Sequence, residues 1–282
     1  MTLHDFPARL AAESFCLRPL AEGDLPEVMR QLSDERVAPW LAAVAQPFGL
    51  TEAQALLDHG QHPGEHLRTI EIEGAFAGCI CLGAGLWYWL DPAFQGRGLM
   101  TAALRLALSE WFARPAPPLL ATCRTDNAAS LSLLTRLGFA RFPGSRRMFF
   151  QSSGRSEPCH DLLMAPEQWH LLNPPRHALD GLSLRPARQK DVPTLALMLP
   201  GTAAPWPSAE ALPGFVEQHR FRGAPSGLFV IEDDLGRSIG MALMAEGTPP
   251  ALAFLSREEA GAHADTVKQA LAAGLPSVPL GR

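Results

Sequence analysis

Leu104, Ala107, Leu108 and Trp111 fall at i, i+3, i+4 and i+7 and form one apolar stripe, which predicts a helix ending at "ARPAPP". Ahead of it, "LWYWL" (86 to 90) is a continuous apolar and aromatic run of strand length, and "LLATC" (119 to 123) beyond it reads the same way. In "RTDNAASLSLLTRLGF", Asp126 or Asn127 can cap a second helix and Gly138 can close it in a left-handed conformation, with Phe139 folding back. Nearer the start, "LRTIEIEGAFAGCICL" (67 to 82) gives strand, charged turn, glycine and strand, the pattern of a β-hairpin. Before that, Phe15 to Arg18 reads as a short strand stopped by Pro19, followed by a turn into a helix that begins near Asp24 and runs towards Leu32. The predicted order is hairpin, strand, helix, strand, helix, an α/β arrangement.

Part of this pattern occurs twice. Aligning "FCLRPLAEGDLP" with "LSLRPARQKDVP" superposes Leu17 on Leu184, Arg18 on Arg185, Pro19 on Pro186, Asp24 on Asp191 and Pro26 on Pro193. The hairpin returns at nearly the same offset as "LFVIEDDLGRSIGMALM" (228 to 244). With 282 residues, two domains are expected. Asn173-Pro174-Pro175 is the expected linker, because proline breaks helix and sheet pairing alike, which gives domains 1–175 and 176–282.

Composition narrows the class of partner. A net charge of −5 with 19 % charged residues argues against nucleic acid. No apolar run reaches the ~20 residues of a membrane span, and the N-terminus lacks the basic start and long apolar stretch of a signal peptide, so a cytoplasmic location is expected. Five cysteines without CxxC spacing suggest neither a disulfide framework nor a zinc site. Cys79 and Cys81 share one strand face, where small buried fillers are a better reading than metal ligands, and no metal is expected.

The segment "DPAFQGRGLMTAAL" (91 to 104) joins a strand to a helix through Gly96 and Gly98. Such a junction is either a plain turn or an anion site, since it leaves free backbone N–H groups at the positive end of the helix dipole. It lacks the GK[ST] ending of a P-loop and the GxGxxG of a dinucleotide fold. It does resemble the coenzyme A pyrophosphate loop of the GCN5-related N-acetyltransferases (GNAT), Gln/Arg-x-x-Gly-x-Gly/Ala, at Gln95 and Gly98, with Met100 departing at the last position. "LRPL…D", "YWLDPAFQGRGLMTAAL", "DNAAS…LLTRLGF" and "HDLLM", in that order over residues 12 to 170, are similar to the RimJ/RimL-type branch of that superfamily.

The resemblance implies a GNAT fold with a mixed central β-sheet, flanking helices and a splayed strand pair, and acetyl-CoA as cosubstrate. Gln95, Gly96, Arg97, Gly98, Leu99, Met100 and Thr101 inherit the pyrophosphate, and the pantetheine arm would lie on the free backbone edge at Trp89, Leu90 and the Pro92 carbonyl. Asn127 matches an asparagine that binds the pantetheine or phosphate region, beside its reading as a plain N-cap. Ser130 matches a serine proposed as acid or as a hydrogen bond to the thiol, beside its reading as a helix serine bonding back to its own backbone. Leu134 stands where many relatives carry an acidic tyrosine; Tyr88 lies on the strand beside the expected thioester, outside that position.

The base is the weak point of the motif set. Relatives often carry glutamate where this chain has Gly85. The candidates are Glu71, with Glu73, and His160, with Asp161; the two glutamates are also readable as solvated hairpin residues. Trp40, Phe48 and Trp87 can line an acceptor cleft or belong to the core. The implied activity is acetyl transfer to a primary amine of a peptide N-terminus or small molecule, by a monomer or homodimer. The competing expectation is a degenerate module that binds acyl-CoA or a partner without turnover. In the second copy "ALAFL" (251 to 255) runs into "SREEAGAHADTVKQAL", with Glu258 and Glu259 ahead of one glycine, Gly261, so a truncated, non-catalytic domain without a coenzyme loop is expected. The chain reaches Arg282 just after the place of a fifth strand, so that copy is expected to lack the asparagine-capped helix.

Overall fold

The computed structural model describes residues 6–113, 115–173, 177–179, 181–200, 202, 205–222 and 226–272. The chain divides into two compact units, residues 1–111 with 117–165, and residues 112–116 with 166–282.

The first unit opens with β1 (Leu10–Ala11) and β2 (Cys16–Pro19), then α1 (Leu25–Leu32) and α2 (Leu50–His59). The hairpin β3 (His66–Ile72) and β4 (Ala75–Leu82) follows, and then β5 (Trp87–Leu90). These five strands form one antiparallel sheet in sequence order. Its α1/α2 face is closed by Val28, Leu32, Ala53 and Leu57 against Leu67, Cys79, Cys81 and Trp89. Cys79 and Cys81 are buried fillers of that core. Next come α3 (Leu99–Trp111), β6 (Leu119–Arg124), α4 (Ala128–Leu137), β7 (Ala140–Arg141), β8 (Arg146–Phe150) and β9 (Arg155–Met164). Along β9, one edge pairs with β6 and the other with β7 and β8. The α3 stripe is buried at Leu104, Ala107, Leu108 and Trp111, as its period predicts.

The second unit contains α5 (Pro166–Leu172), β10 (His177–Leu179), β11 (Leu182–Pro186), α6 (Val192–Ala196), α7 (Leu212–Gln218), β12 (Gly227–Asp233), β13 (Ser238–Met244), β14 (Ala251–Phe254) and α8 (Arg257–Ala272). The expected boundary at 175 moves to 165, because α5 belongs to the second unit: its buried His170 lies 4.7 Å from the Phe221 ring. Pro174 and Pro175 of the expected linker lie outside the described residues, as does the place of the fifth strand beyond Ala272.

The sequence repeat is repeated in three dimensions. Strands β10 to β14 pair in the same antiparallel order as β1 to β5. Both hairpins slip register at one equivalent point, Ile70/Glu71 and Ile231/Glu232. In the first unit the Arg18 guanidinium holds Asp24 through a two-pronged contact (2.7 and 2.8 Å) and Glu71 through Nε (2.5 Å). In the second, Arg185 holds Asp191 (2.8 and 2.9 Å) and Glu232 (2.8 Å) in the same way. Asp24 and Asp191 also accept a backbone N–H, from Ala21 and Arg188 respectively. The repeated Arg-Pro and Asp are therefore architecture: a planar fork ties the strand to the turn that starts the next helix.

Candidate active site

Strands β5 and β6 begin side by side and then part. The Leu86 N–H donates to the Leu120 carbonyl at 2.8 Å, and Leu86 bridges Ala121 in parallel. Beyond that point β5 pairs with β4 alone among the described residues, so one backbone edge from Trp87 to Leu90 faces the gap. After β5, Asp91 accepts the Ala93 N–H (2.7 Å) and ion-pairs with Arg30, which fixes the start of the loop. Gln95 folds back and its Nε2 donates to the Leu90 carbonyl at 2.9 Å, while the Gln95 N–H donates to the Pro92 carbonyl at 3.3 Å. The two acceptors expected to meet a pantetheine arm at Leu90 and Pro92 are thus engaged by Gln95.

Gly96 and Gly98 have φ of +76° and +74°, a region where only glycine is unstrained, and a Cβ at either would meet nothing within 4 Å. Among the described residues no protein acceptor takes the N–H groups of 96 to 101. Those donors stand at the start of the 13-residue α3, whose dipole favours an anion there. Arg97 is in the same loop.

Helix α4 delivers the polar groups. Asn127 is its N-cap: Oδ1 accepts the Ser130 N–H at 3.1 Å, and Gly138 closes the other end at φ +96°. The Ser130 hydroxyl meets the Tyr88 hydroxyl at 2.7 Å. Burial pushes the Tyr88 phenol above its ordinary range, so at neutral pH it stays protonated, and either hydroxyl of the pair can be the donor. Alternation along β5 sends Tyr88 to the α4 side and Trp87 and Trp89, stacked at 6.1 Å, to the α1/α2 side.

A cleft of about 720 Å³ runs between these elements. Tyr88, Trp89, Asn127 and Ser130 line it, as do the three expected acceptor-side aromatics, Trp40, Phe48 and Trp87. Leu90 and the loop 95–101 stand outside its wall.

Both expected bases are displaced from it. Glu71 accepts from Arg18 and Cys16, and Arg18 lowers its pKa; Glu232 occupies the equivalent place in the second unit, so the role is structural. Glu73 lies in the hairpin turn at φ +49°. His160 sits on β9 with Nδ1 2.8 Å from the Gly144 carbonyl, outside the cleft wall. Asp161 is held by Arg146 and the Thr122 hydroxyl, and the arginine keeps its carboxyl below the usual range. Sequence reasoning set Tyr88 aside because it is not at the family's acid position; strand alternation alone would have sent it to the α4 side. His59, at the end of α2, also lines the cleft.

Among the described residues, metal-type donors group at His59, Glu65 and Cys81, within 4.8 Å of one another. The Cys81 thiol donates to Glu65 at 3.3 Å, and burial pushes its pKa up. Hydrogen bonding to a protonated thiol accounts for this grouping without a cation.

The family model described as Acetyltransferase (GNAT) domain matches residues 14–140. Among solved structures, a protein named, without a stated substrate, as an acetyltransferase is 23 % identical with a TM-score of 0.50, over 59 % of this chain and 90 % of its own. RimJ of Mycobacterium smegmatis, in complex with CoA-disulfide, is 22 % identical with a TM-score of 0.47, over 53 % of this chain and 81 % of its own. A Salmonella typhimurium acetyltransferase that modifies the N-terminal serine of ribosomal protein L7/L12 is 20 % identical with a TM-score of 0.48, over 56 % of this chain and 97 % of its own. No curated protein matches the chain. With the parted strands and glycine loop already in place, the family match identifies a GNAT acetyltransferase domain within the first unit, at residues 14–140.

Proposed function

We propose that the first unit transfers an acetyl group from acetyl-CoA to a primary amine by direct attack, with both substrates bound together. The observation that carries this reading is an open β5 edge and a polar α4 N-terminus on one cleft, with a glycine loop of unpaired N–H groups following the same strand. The loop N–H groups and the α3 dipole suit a pyrophosphate, and the free edge at Trp87 to Trp89 suits the amides of a pantetheine arm. Acetyl-CoA supplies an activated acyl group and a thiolate leaving group. In this reading Ser130 stabilises and protonates that sulfur, and Tyr88, whose hydroxyl it meets, orients Ser130 and replenishes its proton. The acceptor enters on the side lined by Trp40, Phe48 and Trp87, which favours an amine on an apolar or aromatic body, whether a small molecule or a peptide N-terminus.

The second unit we read as a truncated copy that binds no coenzyme. Leu255 and Ser256 alone join β14 to α8, Ser256 caps the helix by accepting the Glu259 N–H (3.1 Å), and Gly261 lies inside the helix. Glu258 and Glu259 in the first turn oppose an anion there. Calorimetry should therefore find one CoA site per chain, and thiol release from acetyl-CoA should appear with some member of a panel of amines. Two sites would refute the assignment of the second unit. CoA binding without release for every amine would favour a binding module, the reading to which the absent side chain at Gly85 points.

Ser130→Ala should lower kcat about tenfold while leaving CoA affinity within a few-fold, because the contact strengthens as the thiolate forms. Tyr88→Phe should behave alike, and the double variant should be little worse than either, since one hydrogen bond joins them. Additive losses in steady-state kinetics would show that the two hydroxyls act separately.

A further inference from the structure

With Glu71 and His160 outside the cleft, its acceptor side is served by another pair. His59 ends α2 and lines the cleft, with its ring 6.1 Å from that of Trp87. Its Nε2 stands 3.6 Å from Oε2 of Glu65. Glu65 is itself fixed: Oε1 accepts the Ala84 N–H at 3.1 Å and Oε2 accepts the Cys81 thiol at 3.3 Å. Ala84 directly precedes Gly85, where the GNAT resemblance leads one to expect a glutamate. A carboxylate reaching over from the head of β3 therefore sits against the backbone beside the position that lacks one. Glu65 is packed there closely enough that a Cβ on Gly83 would clash with its carboxylate.

We propose that His59, oriented by Glu65, is the general base for the acceptor amine; the inference rests on the acetyl-transfer reading. Trp87 turns towards His59 and Tyr88 towards Ser130, so the two groups flank β5 from opposite sides, one for the nitrogen and one for the sulfur. As the amine nitrogen bonds to the acyl carbon and the carbon–sulfur bond breaks, the nitrogen gives a proton to the neutral imidazole, and Glu65 stabilises the imidazolium. The departing sulfur gains a proton from Ser130, so one proton leaves nitrogen, one joins sulfur, and exchange with solvent resets both groups. The ionisable groups around His59 are Glu65, the Cys81 thiol behind it, His62 with its ring at 6.0 Å, and Glu52 on the same cleft wall. Glu52 is committed to the Gly49 N–H at 2.9 Å, which leaves Glu65 as the partner of the ring.

The test uses the full chain, acetyl-CoA and the best amine found by thiol release. His59→Ala should lower kcat about a hundredfold with the CoA dissociation constant unchanged, and added imidazole should restore part of the rate. His59→Gln should be equally slow and deaf to imidazole, and Glu65→Gln should lose about tenfold. A His59→Ala rate within twofold of wild type, a change in KM alone, or a slow variant that imidazole does not rescue would each overturn the proposal. Wild-type protein that binds CoA but acetylates no amine would instead overturn the acetyl-transfer reading, and the proposal with it.

Discussion

Arg185→Met is expected to destabilise the second unit by about 3 kcal/mol, the cost of taking the guanidinium away from two buried carboxylates. Asp191 and Glu232 are only 7 % and 5 % exposed, and the Arg185 fork contacts both. Burial alone would raise the Asp191 carboxyl, but the Arg185 hydrogen bonds and the Arg188 N–H bring it below its ordinary value. A carboxyl depressed in the folded state stabilises above its unfolded pKa, and that stability fades as pH falls through the folded value. In the variant Asp191 loses that depression while its burial remains, so it takes up a proton more readily and the deficit should be larger at pH 7 than at pH 5. Urea titration read by hydrogen exchange of peptides from β11 to β13 would report the second unit separately. Arg18→Met should cost less, about 1–2 kcal/mol, because Arg18 and Glu71 keep about a fifth of their side chains in solvent. A loss under about 1 kcal/mol in Arg185→Met would show that the repeated fork is not a structural tie.

That pair of forks marks where sequence reading succeeded and where it stopped. Matching Arg18 with Arg185 and Asp24 with Asp191 needed only local spacing, and the repeat followed from it. The third member of each fork, Glu71 or Glu232, arrives across a strand pairing, Cys16 opposite Glu71 and Ser183 opposite Glu232. With that pairing unseen, Glu71 read as a spare carboxylate and so as a base. His160 failed for a related reason: the motif places it late in the chain, but only the register of β9 against β6, Cys123 opposite His160, decides what it faces. The glycine loop and the caps of α4 were legible because their chemistry is local: positive φ at Gly96, Gly98 and Gly138, and an Asx cap at Asn127. Tyr88 with Ser130 and His59 with Glu65 were not, since the first joins residues 42 apart and the second needs the end of a helix beside the head of a strand.

Gly98→Val should weaken CoA binding by about a hundredfold or more while leaving the first unit folded. A Cβ at Gly98 meets no protein atom within 4 Å, so the substitution creates no internal clash. Its cost is conformational: φ is +74°, and a β-branched residue held there is strained by roughly 1–2 kcal/mol. The loop can relieve that strain by turning the 97–98 peptide, which re-aims N–H groups at the mouth of α3. Hydrogen bonds to a charged phosphate contribute about 1.5–3 kcal/mol each, so misdirecting two of them removes about 3 kcal/mol or more, roughly two decades of affinity. The β-branched methyls would also project into the open space beside Gly98, where the anion is expected. Gly98→Ala, with the same positive φ but less bulk, should fall between Gly98→Val and wild type. Gln95→Ala should lose only a few-fold, because Gln95 turns to the Leu90 carbonyl and away from the loop's N–H groups. Isothermal titration with CoA, alongside circular dichroism as a check of folding, measures all three. An unchanged dissociation constant in Gly98→Val would remove residues 95 to 101 from the coenzyme site.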